Sequence, residues 1–147
     1  MKTVLITGAT GAIGKAIARL IAEKYDYRIV LVARNESKAA SVVNQLIDET
    51  GNKFISYLIA DLSRKHEIES IANNWNDPID ILINDAGATP RQRQETPEGI
   101  EMQFATNVLG YFWIMKYFTP HLIKSTHARI INVASYWAGN LDMNDLE

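Results

Sequence analysis

The stretch TVLITGATGAIGKAIARLIAE, residues 3–23, joins a short apolar run to a helix-like pattern through three glycines. Its first part, residues 2–7, predicts a buried strand because the apolar side chains are contiguous. Its second part, residues 12–25, predicts an amphipathic helix whose core-facing side chains recur at helical spacing: Ile13, Ile17, Leu20 and Ile21. A strand that turns through glycines into a helix is the unit from which the rest of the chain is interpreted.

The same alternation of apolar runs and helix-period segments continues to the end of the sequence. It predicts further strands at residues 28–33, 54–60, 79–83 and 129–134, and helices at residues 37–50, 64–75 and 98–124. Ser63 is the predicted cap of the third helix. The strands are near-continuous runs of Val, Ile and Leu, which is typical of parallel strands covered on both faces. We predict one α/β domain over residues 1–147, a Rossmann-type doubly wound parallel sheet of order 3-2-1-4-5.

Composition excludes several classes of protein. The net charge of -2 gives no electrostatic footprint for nucleic acid, and the absence of cysteine excludes disulfides and thiolate sites. The three histidines have no metal-ligand spacing, so no metal is expected. The N-terminus does not read as a secretory signal, and no segment has the length of a membrane span. We therefore expect a cytoplasmic protein that acts on a small molecule, without a nucleic-acid or membrane partner.

The three glycines, Gly8, Gly11 and Gly14, fall where the first strand becomes the first helix. One glycine would permit the tight turn, another would let backbone approach a ligand, and a third would let the helix lie close to the strand. The free N–H groups at the start of that helix would suit a pyrophosphate. Glycines also occur in plain tight turns, and the strand-to-helix context is what favours the functional interpretation.

Five motifs resemble the short-chain dehydrogenase/reductase family, in the family's order: TGATGAIG (7–14), DLS (61–63), NDAG (84–87), NVLGYF (107–112) and RIINVAS (129–135). The tail, LDMNDLE, resembles retinol-dehydrogenase-like members. The resemblance implies a bound nicotinamide cofactor held by residues of these motifs, with Asp61 at the adenine ring. The implied cofactor-binding residues are Thr7, Gly8, Thr10, Gly11, Ala12, Ile13, Gly14, Asp61, Leu62, Asn84, Ala86 and Gly87.

Two features depart from the family's commonest pattern. The glycine spacing T-G-x-x-G-x-x-G is more typical of the extended, epimerase-like branch, although the later motifs favour the classical one. Asp85 stands where the family usually has a second asparagine, and a carboxylate cannot donate hydrogen bonds as an amide does.

The end of the second strand favours NADP(H) over NAD(H). An acidic residue there would bind the ribose hydroxyls and reject a 2′-phosphate, whereas this chain has Ala33 followed by Arg34. An arginine offers a planar set of donors that fits a phosphate, and Asn35 could add a contact. NAD(H) is the alternative cofactor, and a solvated arginine is the alternative interpretation.

The resemblance also implies catalytic residues. Ser135 matches the serine that hydrogen-bonds the substrate oxygen, and Asn107 matches the asparagine that holds a water in the proton relay. The family's Tyr-x-x-x-Lys is absent from the 147 residues. We interpret the chain as an incomplete domain that lacks the C-terminal catalytic and substrate part, and we expect little hydride transfer with a carbonyl or alcohol substrate. A non-catalytic NAD(P)-binding module and an extended-type epimerase or dehydratase remain alternatives.

The predicted helix at residues 98–124 is rich in aromatic side chains. One interpretation is a homo-oligomer formed through the outer face of this helix. The alternative, which the amphipathic pattern favours, is packing of the aromatic side chains against the sheet.

Overall fold

The computed structural model describes residues 1–24 and 26–135. Its strands are β1 (Thr3–Thr7), β2 (Arg28–Ala33), β3 (Ile55–Ile59), β4 (Ile81–Asn84) and β5 (Arg129–Asn132). Its helices are α1 (Ala12–Lys24), α2 (Glu36–Thr50), α3 (Lys65–Asn73), α4 (Met102–Phe104) and α5 (Gly110–Leu122), with a π-helical segment, Ala105–Leu109, between the last two. Most boundaries lie within two residues of those expected from the sequence.

The five strands form one parallel sheet of order β3-β2-β1-β4-β5, which confirms the predicted topology. Ile6 of β1 is in register with Leu31 of β2 on one side and with Ile83 of β4 on the other. The strand order reverses between β1 and β4, so their carboxyl ends open a crevice between neighbouring loops.

Alternate side chains of the strands supply two hydrophobic clusters, one on each face of the sheet. Leu5 and Leu82 point into the cluster that Ile68 of α3 and Phe118 of α5 complete. Val4, Ile6 and Leu31 point into the opposite cluster. Ala18 of α1 and Leu46 of α2 belong to this second cluster. The period-2 alternation of a strand is what sends neighbouring residues to opposite clusters.

The expectation that every strand is covered on both faces is correct only for the central strands. β1 is buried throughout, whereas all four residues of β5 are exposed and β3 exposes Ser56 and Ile59. β3 and β5 are the edge strands of the described sheet, so each has a hydrogen-bonded neighbour on one side only.

The predicted core face of α1 is partly wrong. Ile17 and Ile21 pack beside the core, but Ile13 is 61% exposed and Leu20 is 47% exposed. The buried residues of α1 are Gly14, Ala18 and Ala22, spaced four apart. Small side chains let the helix lie close to the sheet, and this requirement outweighs the burial of the larger apolar side chains.

The helix predicted at residues 98–124 is shorter and less regular than expected. Glu98 and Gly99 belong to a turn, in which the Gly99 N–H donates to the Thr96 carbonyl at 2.9 Å and Gly99 has φ +78°. The helix begins after Glu101, whose carboxylate accepts from the Phe104 N–H at 2.8 Å.

In the part of the chain that the structure describes, no helix has both the length and the apolar character needed to cross a bilayer.

Candidate functional site

A cleft of about 530 Å³ lies at the carboxyl ends of the central strands. We call it the strand-end cleft. It is lined by ten residues that the sequence predicted as cofactor-binding: Gly8, Thr10, Gly11, Ala12, Ile13, Arg34, Asp61, Leu62, Ala86 and Gly87. Four other predicted residues, Thr7, Gly14, Asn35 and Asn84, are not part of the lining.

Seven further residues, which the sequence did not predict as cofactor-binding, line the cleft: Val32, Ala33, Ala60, Asp85, Ala88, Thr89 and Thr106. Val32, Ala33 and Ala60 lie at the ends of β2 and β3, so the strand-end rule alone could have found them. Thr106 belongs to the π-helical segment and directly precedes Asn107, so its nearness to a predicted catalytic residue was the signal that could have found it.

The glycine turn forms the floor of the strand-end cleft. Gly8 has φ +74°, and a Cβ on it would lie 2.7 Å from the Ala86 Cα. A Cβ on Gly14 would lie 2.7 Å from both the Asp85 carboxylate and the Gly8 carbonyl oxygen. The turn is closed by the Gly11 N–H, which donates to the Gly8 carbonyl at 2.9 Å. The absence of a side chain on Gly8 lets the turn pack against the Ala86 backbone, and its absence on Gly14 lets α1 pack against the Asp85 carboxylate.

Thr7 is fully buried beneath this turn. Its hydroxyl oxygen accepts from the backbone N–H of Asp85 at 3.0 Å and from that of Ala86 at 3.1 Å. Thr7 thus joins the end of β1 to the loop that follows β4. Its position explains why it contributes to the cleft without lining it.

Asp85 lies between the β4 loop and the start of α1. Burial raises the pKa of its carboxyl, and an interaction with the backbone N–H of Gly14 lowers it by less, so that the net shift is upward. The charge of Asp85 also reaches Tyr111 of α5, whose pKa is raised first by burial and second by Asp85.

Arg34 follows the last residue of β2, and its exposed side chain lines the cleft. Asn35 is the N-cap of α2, because its Oδ1 accepts from the Lys38 N–H at 2.9 Å. The same Oδ1 accepts from the Ser37 hydroxyl at 2.8 Å. Asn35 is therefore held beside the cleft as a helix cap.

Asp61 forms a tight turn at the end of β3. Its Oδ1 accepts from the Ser63 N–H at 2.9 Å and from the Ser63 hydroxyl at 2.7 Å. Ser63 is consequently not the cap of α3, as the sequence predicted; in the described structure Arg64 occupies that position without a side-chain capping bond. Ser63 instead fixes the Asp61 carboxylate at the rim of the cleft.

Asn84 is fully buried at the end of β4, below the cleft. Its amide nitrogen donates to Oδ1 of Asn132 on β5 at 2.8 Å, and its own Oδ1 has no hydrogen-bond partner among the described residues. The pair ties β4 to β5 near the site.

The two predicted catalytic residues are not part of the cleft lining. The Asn107 amide in the π-helical segment makes two hydrogen bonds to Ala88, accepting from its N–H at 2.7 Å and donating to its carbonyl at 3.0 Å. Ser135 is exposed in the segment that follows β5. The Tyr111 hydroxyl donates to the Val133 carbonyl at 3.3 Å and connects α5 to that segment. The tail at residues 141–147, which carried part of the resemblance, lies outside the described residues.

A metal centre has no candidate ligands in the described structure: within residues 1–24 and 26–135, no cluster of three or more His, Cys, Asp or Glu side chains could hold a metal ion.

Comparison with known proteins confirms the resemblance. The family model for short chain dehydrogenase matches residues 2–143. Human dehydrogenase/reductase SDR family member 12 is 34% identical over 147 residues, which cover 97% of this chain and 46% of that protein. Human retinol dehydrogenase 13 is 34% identical over 150 residues, which cover 99% of this chain and 45% of that protein. The chain spans less than half the length of these two relatives.

Solved structures share the fold. A short-chain dehydrogenase from Sphingobium yanoikuyae in complex with NADPH is 31% identical, with a TM-score of 0.77 over 92% of this chain and 54% of that one. A metagenomic short-chain oxidoreductase in complex with NADP is 26% identical, with a TM-score of 0.79 over 96% of this chain and 64% of that one.

Proposed function

The chain belongs to the short-chain dehydrogenase family, and we propose from that premise that it binds NADP(H) in the strand-end cleft as part of an oxidoreductase. The proposed reaction is hydride transfer between the nicotinamide ring and a carbonyl or alcohol carbon, with the cofactor supplying or accepting the hydride. The observation that carries the proposal is the cleft, whose wall combines the glycine turn, the start of α1 and Arg34. The NADPH and NADP in the two similar solved structures support this choice of cofactor.

The start of α1 fits a diphosphate. Gly11, Ala12 and Ile13 line the cleft where the helix begins, and the N–H groups of a first helical turn have no intrahelical acceptor. Such donors, with about half a positive charge from the helix dipole, favour an anion. Gly8 and Gly14 keep side chains out of the turn, because a Cβ on either would clash with its neighbours.

Arg34 supports the preference for NADP(H). It directly follows Ala33, the last residue of β2, so no carboxylate stands where the ribose hydroxyls would be bound. Its guanidinium would accept the 2′-phosphate through charge-assisted hydrogen bonds. Asn35 is engaged as the cap of α2, which leaves Arg34 as the residue proposed to select the phosphate.

Ser135 and Asn107 keep the catalytic roles that the family resemblance implies, as proposals. The contacts of Asn107 with Ala88 place it directly behind the loop that lines the cleft. Because Tyr-x-x-x-Lys does not occur in the 147 residues, we propose that this chain binds the cofactor but transfers hydride slowly. Loss of a general acid typically costs 10²–10⁴-fold in rate.

The first test is calorimetric titration of the 147-residue chain with NADPH and with NADH. We expect NADPH to bind at least about tenfold more tightly. The variant Arg34→Ala should weaken NADPH binding by roughly 10- to 100-fold, the loss of one charge-assisted group, and should change NADH binding little. Arg19→Ala, which removes an exposed arginine of α1 outside the cleft lining, is the charge-matched control.

The outcomes separate the parts of the proposal. Binding of neither nucleotide would contradict the proposed function, and tighter binding of NADH would contradict only the role of Arg34. A non-catalytic NAD(P)-binding module is the second candidate, favoured by the absence of Tyr-x-x-x-Lys. NADPH oxidation with a panel of aldehydes and ketones tests the activity, and rapid turnover by this chain would exclude both that candidate and the expected slow transfer.

A further inference from the structure

Asp85 is a second acidic residue in the wall of the strand-end cleft, besides Asp61. Its backbone N–H donates to the Thr7 hydroxyl at 3.0 Å, and this bond holds the Asp85 backbone to the end of β1. Its Oδ2 lies so close to α1 that a Cβ on Gly14 would be 2.7 Å away. The carboxylate therefore stays against the first turn of α1.

The contact places a negative charge at the helix end that is proposed to hold the diphosphate. Gly14 is the third residue of α1, and its N–H already interacts with the Asp85 carboxylate beside it. One of the free donors of the first turn is thus used within the chain. The same carboxylate offsets part of the positive helix dipole.

We propose that Asp85 sets the affinity for the cofactor: its carboxylate and the diphosphate are like charges at one helix N-terminus, so the carboxylate weakens binding, and the cofactor binds together with a proton that neutralises Asp85. This inference rests on the proposed NADP(H) binding. It assigns a function to the residue that departs from the family's asparagine, which would occupy the same space without a charge.

The groups around Asp85 are consistent with proton uptake at this residue. Tyr111 faces it from α5, and burial, followed by the charge of Asp85, raises the pKa of its hydroxyl. The cleft is also lined by Arg34, a cationic side chain, and by Asp61, whose carboxylate is hydrogen-bonded to Ser63. Burial has already raised the pKa of Asp85, and a neighbouring diphosphate would raise it further because like charges disfavour ionisation.

The test compares NADPH binding by the wild-type chain with binding by Asp85→Asn, which keeps an oxygen acceptor for the Gly14 N–H. At pH 8 and low ionic strength we expect Asp85→Asn to bind about tenfold more tightly, because the substitution removes the repulsion between the partly solvated carboxylate and the diphosphate. The advantage should shrink at pH 5.5 and in high salt. The control is Asp48→Asn, which makes the same charge change on the exposed face of α2, outside the cleft lining.

Proton uptake is a second readout, which needs no improvement in affinity. Titration of the wild type with NADPH near pH 6, in two buffers of different ionisation enthalpy, should reveal a fraction of a proton taken up, and Asp85→Asn should remove it. Urea unfolding of each variant, with Asp85→Ser as a second replacement, checks that the fold is retained.

Equal NADPH affinity of the wild type and a folded Asp85→Asn, or unchanged proton uptake in the variant, would overturn the inference while the proposed function stands. Tighter binding by Asp85→Asn than by a wild type that still binds NADPH would support it. If neither chain bound either nucleotide, the proposed function and this inference would both be overturned.

Discussion

The three glycines of the first turn differ in what they do. Gly8 needs a positive φ and a close approach to Ala86, and Gly14 needs a close approach to Asp85, whereas a Cβ on Gly11 would meet only the Gly8 carbonyl, at 3.2 Å. The sequence predicted a tight turn, a backbone approach and a close helix. It could not assign these tasks to particular glycines, because they depend on the β4 loop, more than seventy residues further along the chain.

Gly8→Ala tests the tightest of these contacts. The variant combines an unfavourable positive φ, about 1 kcal/mol, with overpacking against the backbone of Ala86, typically 1–3 kcal/mol more. We expect the free energy of unfolding, measured in urea, to fall by about 2–4 kcal/mol.

Gly99→Ala is the matched control for Gly8→Ala. Gly99 has φ +78° and no atom within 4 Å of its Cβ position, so it isolates the backbone strain, and a loss of about 1 kcal/mol is expected. Equal losses in the two variants would show that the approach to Ala86 can relax.

At the scale of the elements, the sequence predicted the helices and strands well and their faces less well. Hydrophobic periodicity put Ile13 and Leu20 in the core, yet α1 buries Gly14, Ala18 and Ala22. Periodicity records which side chains are apolar, whereas the spacing between helix and sheet decides how large a buried side chain can be. Ile13 is exposed in the described structure because it lines the strand-end cleft.

The π-helical segment Ala105–Leu109 was not predictable from local spacing. Such segments often occur at functional sites, and here the segment contains Asn107, which holds the loop at Ala88, and Thr106, which lines the cleft. At its end, a Cβ on Gly110 would lie 2.8 Å from the Leu62 carbonyl. Contacts between distant loops, rather than local propensity, thus shape this helix.

Glu101 caps the helix that leads into this segment, and Glu101→Ala should lower the free energy of unfolding by about 1 kcal/mol. Backbone N–H groups, first that of Gln103, hold the pKa of Glu101 below its usual 4.5. Because the folded state binds this proton less readily than the unfolded state does, ionised Glu101 stabilises the fold above pH 4.5. This stabilisation is lost as the pH falls through the lower pKa of the folded state.

Glu101→Gln is the control, because it keeps an oxygen that can accept from the Phe104 N–H. Urea unfolding at pH 7 and pH 3 should show a difference between the wild type and Glu101→Gln that is larger at pH 7 than at pH 3. A difference that grew on acidification would contradict the assignment.

At the scale of the whole molecule, the doubly wound sheet and its strand order follow from the alternation of apolar runs and helical segments, and both were predicted. Most of the predicted cofactor residues line one cleft because they share the carboxyl edge of the sheet. In α5, Phe118 is buried in the core, as the packing interpretation predicted, while Phe112 is 53% exposed. Val108, one turn earlier, is similarly exposed.

Association through the outer face of the helix predicted at residues 98–124 stays a prediction. If this face pairs, Phe112→Lys should weaken self-association at least about tenfold, because it places a charge in an apolar contact. Sedimentation velocity over a range of concentrations measures it. Leu20→Lys, at a comparably exposed apolar position on α1, is the control. Equal effects of both variants, or a wild type that remains monomeric throughout, would contradict the prediction.

The two hydrogen bonds that the Thr7 hydroxyl accepts have a consequence for the thermodynamics of ligand binding. Because the amides of Asp85 and Ala86 are already tethered, the cleft floor is preorganised, and little conformational entropy remains to be lost there on association. These two amides should exchange slowly with deuterium in the free chain and gain little further protection when the nucleotide is added. Thr7→Val would loosen them, and the cost would then be seen as a more unfavourable binding entropy.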